Sequence, residues 1–106
     1  MSIFTRIKSM PLDDFIKDVM PTDPTIIDVR RPERYINEGH IAGAVNIPRV
    51  EIGDYSPTGK VYIICHSGVD SKKASRNLTA RGFDCVNVEG GMITWTGDRV
   101  FGKDPE

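Results

Sequence analysis

The stretch "VYIICHSGVDS", Val61–Ser71, decides how this chain is read. Val61, Tyr62, Ile63 and Ile64, with Lys60 ahead of them, make a compact β-branched and aromatic run, the pattern of a buried strand. Cys65 ends that run abruptly, and the five residues after it are mostly small or polar. A helix is expected over Ser71–Arg81, with Ala74 and Leu78 at i, i+4 and Gly82 as its stop. Strand, short loop, helix is the repeating unit of an open parallel α/β sheet. Ligands of such sheets bind beyond the carboxyl ends of the strands, where Cys65 sits.

Working outward, "TIIDV" (Thr25–Val29) reads as a second buried strand. Pro32 fits the first turn of a short helix through about Asn37, where its missing N–H costs nothing. Gly39 and Gly43 punctuate a loop, and "AVNI" gives a short edge strand closed by Pro48. Toward the N-terminus, a strand is expected near Ile3–Ile7, then a helix capped by Ser9 with Leu12, Phe15, Ile16 and Val19 on one face. Toward the C-terminus, Asp84–Val88 gives the last strand, Gly90-Gly91 a turn needing unusual φ, and Met92, Ile93 and Trp95 a short amphipathic turn. The stretch 49–59 is polar and turn-rich, and residues from Gly97 onward read as a loose tail.

A chain of 106 residues is one small domain, burying ~65% of the surface its unfolded form exposes. A net charge of −1 gives no long-range field for nucleic acid or an acidic membrane. No apolar run approaches a membrane span, and "MSIFTRIKSM" has no signal-peptide core, so the expected compartment is the cytoplasm, where cysteines stay reduced. Two cysteines without a C-x-x-C and two scattered histidines make no zinc site.

Cys65 has two readings. One is a buried, inert thiol capping a core strand. The other is a nucleophile: a loop of small residues at a helix N-terminus turns its N–H groups inward, and such an anion cradle favours thiolate over thiol. Local sequence leaves both open.

Five further features, in order, carry a resemblance. They are Asp28-Val29-Arg30; Gly39-His40-Ile41 with Gly43-Ala44; Asn46-Ile47-Pro48; the loop from Cys65; and Glu89-Gly90-Gly91 with Trp95. Together, from about Ser9 to Trp95, they resemble a single-domain rhodanese. The resemblance implies a mostly parallel five-stranded α/β sheet with helices on both faces, its core at about 9–96. It also implies sulfur transfer. The loop cysteine takes sulfur from a small donor anion or a persulfide, carries it as a persulfide, and passes it to a thiophilic acceptor such as a protein thiol. Neither a metal nor an organic cofactor is implied. The phosphatases of the same fold carry cysteine-x5-arginine, whereas the sixth position after Cys65 is Ser71; without that planar donor fork, phosphate is not held bidentately. A module that carries sulfur or regulates a partner with little turnover is the alternative.

The loop residues His66, Ser67, Gly68, Val69, Asp70 and Ser71 are the expected substrate contacts, with Arg30 facing the same mouth. Asp28 and His40 are expected to brace the loops. One residue departs from the pattern: active thiosulfate-using members carry a cation in the loop, and here Asp70 stands there. At ~6 Å from a thiolate that carboxylate opposes the negative charge by about 0.7–2.8 kcal/mol. Its escape is to cap the helix and face away from the sulfur, with Lys72 and Lys73 offsetting its charge. His66 can lend partial positive charge, and Ser67 and Ser71 can bond the persulfide, Ser71 being equally an N-cap. Trp95 is expected in the core. Cys85 begins a strand parallel to the one Cys65 ends, too far away for a disulfide, and is read as structural.

Overall fold

The computed structural model describes residues 6–103. Its sheet has five strands in the order β1-β5-β4-β2-β3, all parallel. They are β1 (Lys8–Pro11), β2 (Thr25–Asp28), β3 (Val45–Asn46), β4 (Val61–Ile64) and β5 (Cys85–Glu89). Alternate residues of the continuous apolar runs face opposite ways, and each face is covered. Ile26, Ile64 and Val88 pack against Leu12, Phe15, Val19, Tyr35 and Met92. Ile27, Val61, Ile63 and Cys85 pack against Ile52, Ala74 and Leu78. These covering residues come from α1 (Leu12–Asp14), α2 (Pro32–Asn37), α3 (Val69–Ala80) and the short helical turns Phe15–Val19, Arg49–Asp54 and Met92–Thr94.

The first strand is displaced from its expected place. Residues 3–5 of the Ile3–Ile7 expectation lie outside the described residues, and β1 starts at Lys8. Ser9 therefore lies within a strand, paired with Asn87, and does not cap a helix. Its hydroxyl accepts the Asn87 Nδ2–H at 3.2 Å. Pairing with β5 satisfies the backbone that a helix starting at Ser9 would have used, so α1 begins only after Pro11. The helical path then widens into a π turn at Phe15–Val19 and ends near Pro21, with Asp23 left-handed at φ 57°.

Helix α3 starts at Val69, two residues ahead of its expected start at Ser71, because Gly68 adopts φ 101° and serves as its N-cap. Ser71 is thus a residue of the first turn and not the cap. At the other end Phe83 N–H donates to Leu78 O and Gly82 N–H to Thr79 O, both at 3.0 Å, around Gly82 at φ 92°. That double bond with a left-handed glycine is the Schellman stop the sequence pattern anticipates.

The segment after Gly97 is docked, not loose. Val100 and His40 exchange backbone hydrogen bonds at 2.8 and 2.9 Å, and Gly102 N–H donates to Ile36 O at 3.2 Å. Trp95, partly buried, donates its indole N–H to Asp98 O at 3.1 Å. The partners of this segment lie some sixty residues away in the chain, so no local pattern announces them.

At the opposite end of the sheet Lys8, the first residue of β1, pairs with Asp84, just ahead of β5. The Lys8 hydrogen bond holds the Asp84 carboxyl below its ordinary 3.8. A carboxyl lowered in the folded state stabilises above its unfolded value and loses that contribution as pH falls through the folded value. The Tm difference between the wild type and Asp84→Asn is therefore expected to be small at pH 7 and to close below about pH 4.

Candidate active site

Strand β4 delivers Cys65 to the carboxyl edge of the sheet, flanked by β2 and β5. The thiol is held from two sides: Gly68 N–H donates to Sγ at 3.0 Å, and the S–H donates to Ser71 Oγ at 3.3 Å. Ser71 in turn donates to Gly68 O at 3.2 Å. The left-handed Gly68 lets the loop curl back over the sulfur, and α3 directs the positive end of its dipole at the same place. Cys65 and Ser71 are buried, His66 and Gly68 half-buried, and Ser67, Val69 and Asp70 exposed.

The outer side of the loop is clamped by the segment after β5. Met92 N–H donates to Cys65 O at 2.7 Å and Ile93 N–H to His66 O at 2.9 Å. With both carbonyls turned outward, the loop amides are free to face the sulfur. Gly91 makes the close approach possible: a Cβ there would stand 2.4 Å from His66 O.

Asp28 and Arg30 lie at the end of β2, whose Asp28 pairs in register with Ile64. Arg30 is buried, its guanidinium folded back on Asp28 (Nη2–Oδ2 2.7 Å, Nε–Oδ1 3.0 Å) and on Gly39 O (2.8 Å). The expectation that Arg30 faces the substrate is corrected in this geometry. Its side chain is turned inward because two carboxylate oxygens and a buried carbonyl satisfy it there, although Nη1 has no hydrogen-bond partner. His40 is buried, stacks on Tyr35 at 3.6 Å between ring centroids, and lies 2.9 Å from Tyr35 O through Nδ1.

Asp70 is also corrected. It makes no described hydrogen bond to the helix amides; Oδ1 instead pairs with Arg49 Nε at 3.4 Å. Arg49 reaches it because Arg49 N–H is anchored to Val29 O at 3.0 Å, which brings the Arg49–Asp54 turn against α3. The cation expected within the loop is thus replaced by one beside it.

Two contributors have no role assigned in the motif reading, although Asn46 belongs to one of its features. Asn46 donates through Nδ2 to Asp28 O and Arg30 O, both at 2.9 Å, stitching β3 to the end of β2. Arg99 donates to Glu38 O at 3.0 Å and Met92 O at 2.6 Å, tying the 38–39 loop to the segment that clamps the cysteine loop. Asn46 had a signal, an amide at the end of a two-residue edge strand; Arg99 had none.

Both cysteines are free. Cys85 pairs in register with Val61, four residues before Cys65, so about 13 Å of strand separates them. Cys85 lies in the core, 3.4 Å from Thr79 Oγ1. Among the described residues no group of three or more His, Cys, Asp and Glu is placed to hold a metal, and no helix is long and apolar enough to cross a membrane.

The family model described as a rhodanese-like domain matches residues 12–98. A putative sulfurtransferase of Bacillus subtilis, YtwF, is 42% identical over 77 residues, covering 69% of this chain and 74% of that protein. A putative sulfur carrier protein of the same organism, YrkF, is also 42% identical over 77 residues, but this chain spans only 41% of its length. The crystal structure of a rhodanese-like domain protein from Staphylococcus aureus superimposes with a TM-score of 0.78 at 36% identity, covering 91% of this chain and 99% of that one.

Proposed function

The chain belongs to the rhodanese-like family, and from that premise we propose that it moves sulfane sulfur through a persulfide on Cys65. The observation that carries the reading is the double hold on the sulfur, by Gly68 N–H and Ser71 Oγ, at a helix N-terminus. In the first half-reaction the Cys65 thiolate attacks the outer sulfur of the donor, and the donor's S–S bond breaks. With thiosulfate, sulfite leaves with the electron pair and Cys–S–S⁻ remains; an acceptor nucleophile then takes the outer sulfur and returns the thiolate. This is covalent catalysis with an electrostatic cradle and no general base. When Cys65 ionises, Ser71 turns its O–H from Gly68 O to the charged sulfur and joins the Gly68 N–H there; Asp28, Arg30, Asn46 and His40 hold the neighbouring loops in place. His66, Ser67, Val69 and Asp70 form the rim that the donor crosses. The cytoplasm is the proposed compartment, and a protein thiol the proposed acceptor.

Thiosulfate:cyanide turnover tests this directly. Activity lost in Cys65→Ser, in a variant that keeps its Tm, supports the reading; activity retained would contradict it. Asp70 supplies a graded test. A thiosulfate dianion approaching the loop meets its carboxylate, only partly offset by Arg49. Asp70→Asn should raise kcat/KM for thiosulfate about 3–10-fold at low salt, and Arg49→Gln should lower it by a similar factor. Equal rates in all three proteins would dismiss the charge argument.

A further inference from the structure

The guanidinium of Arg99 donates only to backbone carbonyls. Its Nη2–H reaches Met92 O at 2.6 Å, and its Nη1–H reaches Glu38 O at 3.0 Å and, more loosely, Gly39 O at 3.4 Å. Among the described residues no carboxylate pairs with it, and the side chain of Glu38 faces Arg34 at 3.7 Å instead. Its charge therefore meets these carbonyls without a counter-ion. The backbone beside it is fixed by the hydrogen bonds that Val100 and His40 exchange. The side chain is also closely packed: a Cβ on Gly39 would stand 2.9 Å from Arg99 Cβ.

Met92 C=O shares a peptide group with Ile93 N–H, and that N–H donates to His66 O at 2.9 Å. His66 C=O in turn shares a peptide group with Ser67 N–H, the loop amide just before the Gly68 N–H that holds the Cys65 sulfur at 3.0 Å. In a planar trans peptide the C=O and N–H point opposite ways, so fixing the acceptor on one side fixes the direction of the donor on the other. A cation, two peptide groups and the cysteine loop thus form one chain of hydrogen bonds. Each bond in such a chain polarises the next, and those with an ionised partner are the strongest. The Arg99 bond to Met92 O is accordingly shorter than the 3.2 Å bond from Trp95 N–H to the same oxygen.

From this, and resting on the persulfide reading above, we infer that Arg99 is a positioning residue for sulfur transfer. It locks the Met92–Ile93 peptide plane and, through it, the His66–Ser67 plane, which keeps the loop amides aimed to receive the charge on Cys65 and on its persulfide. It also gives the chain of dipoles a positive end from outside the loop, whose own formally charged residue is Asp70. Arg99 itself gives up no proton and forms no bond to sulfur. A tie that added stability alone would need neither the charge nor this carbonyl.

The test compares Arg99→Met, which keeps the stem and removes charge and donors, with Arg99→Lys, whose ammonium reaches one carbonyl at a time. Amide hydrogen exchange followed by NMR on unloaded protein needs no sulfur chemistry. Relative to the Leu78 amide of α3, which reports global unfolding, the Ile93 and Gly68 amides should exchange about tenfold faster in Arg99→Met. In single-turnover loading from thiosulfate, its maximal rate should fall about tenfold, with the half-saturating concentration changed less than about twofold. Arg99→Lys should recover part of both effects. Wild-type loading in folded Arg99→Met, a loss seen only as a raised half-saturating concentration, or exchange that rises only in step with Leu78 overturns the positioning role. Absence of loading in the wild type would count instead against the persulfide reading, and the exchange measurement would then decide by itself whether Arg99 holds the loop.

Discussion

Arg30→Met is expected to lower stability by about 3–5 kcal/mol, a fall in Tm of roughly 15–30 °C for a domain of this size. The reason is Asp28. Its carboxylate is fully buried, and Arg30 supplies three of its described hydrogen bonds through the side chain and one more through the backbone N–H. Removing the guanidinium leaves a charge in the interior with one backbone donor and leaves Gly39 O only the longer bond from Arg99 Nη1, at 3.4 Å. The double variant Asp28→Asn/Arg30→Met removes the charge together with its counter-ion and should recover part of the loss. Thermal unfolding of Arg30→Met, Asp28→Asn and the double variant checks both statements; a double variant as unstable as the sum of the singles would show the pair to be independent.

Gly91→Ala is the second large effect, and it reaches activity more than stability. The new Cβ would lie 2.4 Å from His66 O, 2.5 Å from His66 C and 2.8 Å from Cys65 O, at a residue whose φ is +67°. All three are backbone atoms, fixed by the Met92 N–H and Ile93 N–H bonds, so none can swing aside as a side chain would. Backbone strain of about 1–3 kcal/mol adds to the displaced loop. Misplacing a reacting group by about 1 Å costs on the order of 10²-fold in rate, so transfer should fall by roughly that much even at temperatures where the variant is folded. Gly43→Ala is the comparison: φ is +85° but nothing lies within 4 Å of its Cβ, so about 1 kcal/mol and no loss of rate is expected.

How much of this was legible in the sequence depends on the range of the forces involved. The runs Thr25–Val29 and Lys60–Ile64 announced β2 and β4 because burial on both faces leaves no room for polar residues. Pro32 announced α2 to the residue, since a proline at the first helical position is a local matter. Most of the failures turn on partners far away in the chain. Ser9 read as a cap until β5 claimed its backbone; the stretch after Gly97 read as loose until His40 and Ile36 claimed it. Asp70 shows the same limit within the site. Its carboxylate was weighed between the helix and the sulfur, and Arg49, brought in by the backbone of Val29, is what it meets. Motif spacing located Cys65 and its loop; the clamp from Gly91–Ile93 and the tie from Arg99 needed the fold.

The central claim is that Cys65 carries sulfur. Intact-mass measurement after incubation with thiosulfate, and separately with a low-molecular-weight persulfide, tests it most directly. The account predicts a gain of one sulfur atom from at least one donor, removed by cyanide or dithiothreitol, absent in Cys65→Ala and retained in Cys85→Ala. Folded protein that gains no sulfur from either donor, or gains it equally in Cys65→Ala, would contradict it.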